Sequence, residues 1–145
     1  EFFDQLMTKG KLTSVTKGVE IKSLTYHDSC YLGRHNKVYD NPRNILQQAT
    51  EASLVEMPRK KEKGFCCGAG GSRMWMEETI GSRVNVNRVQ EAIKTGADHI
   101  ATACPFCMTM MQDGLKSEQK EQQVKVLDVA EVLEKSIEDT DASDQ

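Results

Sequence analysis

No run in this sequence approaches the roughly 18 consecutive apolar residues that a membrane-spanning helix needs. The opening EFFDQLMTKGKL has neither an initiator methionine nor the basic-then-apolar plan of a secretory signal. Charge of one sign is missing as well: 19 lysines and arginines stand against 22 aspartates and glutamates, a formal net charge of −3. That balance argues against nucleic acid as a partner, and 145 residues suit one compact domain. The cysteines number five, and an odd count does not close the paired framework of a small secreted protein. A reducing, cytoplasmic setting fits better, and there clustered thiols serve as ligands or redox groups rather than staples. The GAGG at 68–71 is followed by no Lys-Ser/Thr pair and belongs to no G-x-G-x-x-G, which sets phosphate binding aside.

What is present alternates between short and long apolar periods. Residues 1–10 read as a helix with Phe2, Phe3, Leu6 and Met7 on one side, and 1–18 as that helix and a linker. VEIKSLTYH (19–27) alternates as a strand, 31–39 begins a helix that Pro42 interrupts or restarts, and ILQQAT carries it to about residue 50. SLVEMP (53–58) is a short strand closed by the basic loop RKKEKG. A helix over 82–96 stops at a glycine, DHIATA (98–103) is a third strand, and a Met-rich helix spans about 105–120. VKVLD (124–128) is a fourth strand and VAEVLEKSI the last helix, followed by an acidic tail, 138–145, expected to be disordered. Strands separated by helices imply right-handed crossovers. The expected fold is therefore α/β, an open and mainly parallel sheet of about four strands with helices on both faces.

The cysteines then acquire positions. Cys30 follows the first strand, Cys66 and Cys67 the second, and Cys104 and Cys107 the third. In a parallel sheet these loops share the carboxyl edge, where open α/β folds place their ligands. Adjacent cysteines make a poor disulfide, since neighbours on one strand point apart. Thiolates without supporting carboxylates select an iron–sulfur cluster or zinc. Cys30 and Cys104 sit at expected helix starts, where the helix dipole favours the ionised sulfur. Gly64, Gly68, Gly70 and Gly71 let backbone pass close to a cluster and offer N–H groups to its sulfides. Two other readings stay open on these residues: a structural zinc or interaction module, and a metal-free thiol–disulfide exchange protein using Cys104-Pro-Phe-Cys107.

The spacing of Cys30, the Cys66-Cys67-Gly68 run and Cys104-Pro-Phe-Cys107, set in YHDSCYLGR, CCGAGGSRMW and ATACPFC, resembles the cysteine-rich CCG domain. That domain occurs in the heterodisulfide reductase family and in related iron–sulfur oxidoreductases. The resemblance spans residues 19–137. It implies that Cys30, Cys66, Cys67, Cys104 and Cys107 ligate a 4Fe-4S cluster of non-cubane form. It also implies a domain that relays electrons or serves a disulfide substrate. Implied partners are other domains or subunits of a redox complex, an electron-transfer flavoprotein or dehydrogenase, and a quinone-linked membrane component, with the full-length protein membrane-associated. Family proteins carry two such motifs and often a ferredoxin-like segment. This chain has one motif, so it is expected to be the C-terminal part of a longer polypeptide that does not turn over alone.

Beside the cysteines, His27 is a candidate proton or hydrogen-bond donor to the cluster, against a strand-end histidine satisfied by backbone. Arg34 and Arg73 are candidates to offset a polythiolate charge, against ordinary surface ion pairs. The methionines at 74, 76, 108, 110 and 111 are candidates to shield the site from water, against simple core fillers, and Trp75 is a candidate to lie beside an electron path, against a packing side chain.

Overall fold

The computed structural model describes residues 1–12 and 20–137. The expected linker at 13–18, the first residue of the 19–27 strand and the acidic tail at 138–145 lie outside the described residues. Helix α1 (Phe2–Thr8) precedes strand β1 (Ser23–Tyr26), and α2 (Asp40–Ala49) leads to β2 (Ser53–Leu54). Then come α3 (Val84–Ile93), β3 (His99–Thr102), α4 (Pro105–Ser117), β4 (Lys125–Asp128) and α5 (Val129–Ile137). The strands form one sheet in the order β2-β1-β3-β4, every pair parallel. The expected open parallel sheet is the one observed.

Strand alternation divides the core between the two faces. Leu24, Tyr26 and Ala101 point to one layer with Ile45, Leu46, Val132 and Leu133 from α2 and α5. Ile100 and Val126 point to the other, with Val89 of α3 and Met111 and Leu115 of α4. A side chain buried this fully contributes about 1.5–3 kcal/mol through removal of apolar surface from water. Gly114 brings α3 and α4 together: a Cβ there would stand 2.7 Å from Val89 Cγ2 and 3.0 Å from the Asn85 carbonyl oxygen. No helix among the described residues is long and apolar enough to cross a membrane.

Two local readings change. The segment after Cys30 is not a helix running to 39 but a π-helical turn, Tyr31–His35, separated from α2 by Lys37 at φ 61°. Tyr39 packs against this turn because residue 33 is glycine; a Cβ there would lie 2.7 Å from the Tyr39 ring. Of the two alternatives at Pro42 the helix restart is the one observed: Pro42 sits in the first turn of α2, where its missing N–H costs nothing. The second strand ends at Leu54, with one further bond from Val55 N–H to the Leu24 carbonyl at 2.8 Å. The chain then passes through Pro58, which has no N–H to extend a ladder.

Candidate metal centre

Strand order reverses at β1, which has β2 on one side and β3 on the other, so the loops leaving β1 and β3 splay apart there. Beyond β1 the chain continues as His27, Asp28, Ser29 and Cys30, and His27 N–H still reaches the Ala101 carbonyl at 2.8 Å. Beyond β3, Cys104 caps α4 with Pro105 at its first position, and Cys107 is buried one turn in. The loop from β2 carries a short 3₁₀ turn, Lys61–Lys63, and delivers Cys66 and Cys67. A ring nitrogen of His27 and the sulfurs of Cys67 and Cys107 all lie within 4.8 Å of one another. Cys30, Cys66 and Cys67 line a common cleft with Asp28, Arg34, Lys61, Gly64 and Phe65. Cys104 is partly buried against the apolar layer that holds Cys67 and Cys107. All five are free thiols.

Cys66 and Cys67 are held uncharged by hydrogen bonds to neighbouring sulfurs and by burial. A hydrogen bond with Cys107 is the main cause that lifts Cys67 to about 11, with burial adding to it. Cys66 is lifted further, first by its hydrogen bond with Cys67 and then by burial. Amide N–H groups work the other way: that of Gly68 meets Cys66 Sγ at 3.2 Å, and those of Gly70 and Ala69 also favour the ionised sulfurs. Three close thiolates would repel in the absence of a cation, so a metal bound here would displace their protons to solvent.

Gly68, at φ 93°, is required in this loop twice over, because a Cβ would also crowd Asn85 N and Val84 Cβ at 3.1 Å. Gly71 has φ 64° with open space around it, and Gly70 is open as well. Arg34 donates from Nη2 to the Gly64 carbonyl at 2.9 Å, which ties the turn after Cys30 to the loop before Cys66. Arg73 pairs with Glu78 and lines a neighbouring cleft with Gly68, Arg83 and Asn85. His27 is buried, and its Nδ1 accepts from Arg88 Nε at 3.0 Å, not from backbone. Burial, with the Arg88 charge, holds its pKa near about 3, so the ring is neutral. Met110 and Met111 are buried fillers and Met74 and Met108 pack against them, but Met76 is exposed. Trp75 is 80% exposed, which corrects the packing role expected for it; the 3₁₀ segment Gly70–Trp75 carries it away from the core.

Sequence reasoning missed the arginines that frame the site. Arg43 is buried and forks onto Asp28 at 2.7 and 2.9 Å and onto Glu56 at 2.6 and 3.0 Å. Asp28 also accepts the Lys61 N–H at 2.7 Å, so one carboxylate clamps the loops after β1 and β2. Burial raises the Asp28 carboxyl, but Arg43 and the Lys61 amide outweigh it and hold it below the usual range. Arg59 binds Glu91 and lies over the Phe65 ring with its guanidinium carbon 3.8 Å from the centroid. The available signal was a charge on an apolar helical arc: Arg88 directly precedes Val89, and Arg43 shares α2 with Ile45 and Leu46.

The donor set fits a thiophilic cluster. Its gathered ligand atoms are sulfurs with one ring nitrogen of His27, and the carboxylate lining the cleft, Asp28, is spent on Arg43 and Lys61. Arg88 leaves its buried Nη2 without a hydrogen-bond partner among the described residues, a positive group suited to an anionic site.

The family model for the cysteine-rich CCG domain matches residues 24–112. The chain is 47% identical over 137 residues to the probable iron–sulfur-binding oxidoreductase FadF of Bacillus subtilis, covering 94% of this chain and 19% of that protein. It is 46% identical over 145 residues to the EtfAB:quinone oxidoreductase of Syntrophomonas wolfei, covering 95% of this chain and 20% of that protein. With one subunit of the dihydromethanophenazine:CoB–CoM heterodisulfide reductase of Methanosarcina acetivorans the identity is 40% over 141 residues, covering 95% of this chain and 34% of that protein. The chain thus spans between a fifth and about a third of these relatives.

Proposed function

This chain belongs to the cysteine-rich CCG domain family, and we propose that it is an iron–sulfur electron-transfer domain in which Cys30, Cys66, Cys67, Cys104 and Cys107 hold a 4Fe-4S cluster of non-cubane form. The observation that carries this reading is the arrival of five thiols at three neighbouring carboxyl ends of one parallel sheet, with Cys67 and Cys107 already against His27. When bound, such a cluster supplies one-electron chemistry at a potential tuned by burial and N–H···S bonds.

The chain's own residues do the remainder. Gly68 N–H holds Cys66 Sγ, the Asp28–Arg43–Lys61 clamp fixes the spacing of the first two cysteine loops, and the apolar layer around Cys67 and Cys107 excludes water. Arg34 and Lys61 put positive charge on the rim of the Cys30–Cys66 cleft. In the longer redox protein, the domain relays electrons between a flavoprotein or other dehydrogenase and a quinone-linked membrane component. The names of the FadF and EtfAB:quinone oxidoreductase relatives support this assignment. A disulfide substrate is the alternative terminal acceptor, supported by the heterodisulfide reductase relative.

Anaerobic reconstitution followed by iron, zinc and acid-labile sulfide determination tests the reading. Iron and sulfide in equal amounts, about four of each per chain, with visible absorption that Cys67→Ser abolishes, is the expected result. One zinc without sulfide, or a colourless protein with a redox-active Cys104–Cys107 disulfide, overturns it.

A further inference from the structure

A guanidinium stands behind His27, and nothing in the cysteine spacing required it. Arg88, on α3, is fully buried. Its Nε–H donates to His27 Nδ1 at 3.0 Å, and its Nη1 donates to the Arg59 carbonyl at 2.9 Å and to Glu91 Oε2 at 3.0 Å. Arginine has donors and no acceptor, so at this contact His27 Nδ1 can only accept. The single proton of the neutral ring must then sit on Nε2. By spacing alone, His27, Cys67 and Cys107 form a three-ligand metal group. The arginine changes what that group is: with Nδ1 occupied by Arg88, the nitrogen left free is a protonated Nε2, which can donate a hydrogen bond but cannot ligate.

We propose that Arg88 is the positioning residue of the cysteine centre, and that it makes His27 an N–H donor to the sulfurs of Cys67 and Cys107 instead of a metal ligand. The support is rigid. Glu91 is itself gripped by Arg59, through the backbone N–H at 2.7 Å and Nε at 2.8 Å, so two arginines face one carboxylate and the group keeps a net positive charge. An N–H donor and a buried cation beside thiolates both favour the more negative, reduced state of a bound group. The effect on potential rests on the iron–sulfur reading; the pairing of Arg88 with His27 does not.

The first measurement needs no metal. In the reduced, metal-free, ¹⁵N-labelled chain, long-range imidazole correlations should show His27 as the Nε2–H tautomer. Arg88 Nε–H should exchange slowly and show coupling across the hydrogen bond to His27 Nδ1. A ring proton on Nδ1, or absence of that coupling, overturns the proposal. Arg88→Met should abolish the coupling and free the ring to exchange tautomers. Arg88→Lys, which keeps the charge, should retain the fold and part of the tautomer bias if the methionine variant does not fold. In the iron-loaded chain, nitrogen hyperfine coupling from His27 should be weak, and Arg88→Met should lower the reduction potential, with Arg88→Lys between it and wild type. Ligand-strength coupling or an unchanged potential refutes the positioning role. A chain with the locked tautomer that takes up no iron and sulfide would sink the cofactor assignment alone; an iron-loaded chain with the proton on Nδ1 would sink this one alone.

Discussion

Replacing Arg43 by methionine should cost the metal-free chain about 3–5 kcal/mol at neutral pH, the usual consequence of removing one partner from a buried ion pair. The side chain donates to Asp28, Glu56 and the Tyr39 carbonyl, and its guanidinium carbon lies 4.9 Å from the centre of the Tyr26 ring. Methionine fills much of the same volume, so the loss is chiefly electrostatic: Asp28, 7% exposed, is left a buried carboxylate without its cation. The sign of the pH dependence follows. Asp28 has its folded-state pKa held below the ordinary value, so its stabilising contribution is present above about pH 3.9 and is lost as pH falls below it. The gap between wild type and Arg43→Met should therefore narrow in acid.

Urea unfolding followed by far-UV circular dichroism is the suitable assay. Fluorescence is a poor one here, because Trp75, the single tryptophan, is exposed in the folded chain. Adding Asp28→Asn and Glu56→Gln to Arg43→Met should recover part of the loss, since the carboxylates no longer need a counter-ion. A single-variant cost below about 1 kcal/mol, or a triple variant as unstable as the sum of its parts, would refute the view that this cluster is an electrostatic clamp.

Gly68→Ala should destabilise by about 1–3 kcal/mol and impair iron uptake, whereas Gly70→Ala, with open space around it and no positive φ, should stay within about 0.5 kcal/mol of wild type by the same urea midpoints. Gly114→Ala should also destabilise, by about 1–3 kcal/mol, because the gain in helix propensity is smaller than the clash with Val89 and the Asn85 carbonyl. Burial raises the Glu91 carboxyl, but bonds from Arg59 and the charge of Arg88 outweigh it and leave it lowered. Its contribution is complete above about pH 4.3 and fades below, so Glu91→Gln should flatten the acid limb of the stability profile; an unchanged limb would contradict this.

The sheet and its helices were legible because their apolar residues recur at two distinct periods and each helix buries one arc. The cysteine loops were legible for a related reason: topology alone takes the ends of three parallel strands to one edge, wherever the intervening residues go. Boundaries were less so. The strand expected at 53–58 pairs only over Ser53–Leu54, and no periodicity announces where a ladder partner runs out. In place of the helix expected at 31–39 stands a turn on which Tyr39 lies over Gly33, a tertiary contact invisible to local pattern. The arginines escaped because a charged residue on a helix is read as solvent-facing unless its partners are known. Those of Arg43 and Arg88 lie 15 and 61 residues away in the chain, at Asp28 and His27.

Asp28 and His27 are neighbours at the end of β1, and each is held by a different buried arginine from a different helix. Arg43 reaches from α2 and Arg88 from α3, whose apolar partners lie in opposite layers of the core. The end of the central strand is thus gripped from both faces, a stiffness that hydrogen bonds to neighbouring strands alone would not supply once the ladder stops. Burying two cations there is costly, and an apolar pair of similar size is often at least as stable. The physical advantage lies in position: the Arg43 fork fixes the loop bearing Cys30, and a single Arg88 Nε–H bond fixes the ring beside Cys67 and Cys107. On the proposed cluster reading, potential and ligand geometry would then depend on residues that touch no metal. Variants at Arg43 and Arg88 should consequently separate two effects: the first chiefly stability and loop spacing, the second chiefly the electronic environment of the sulfurs.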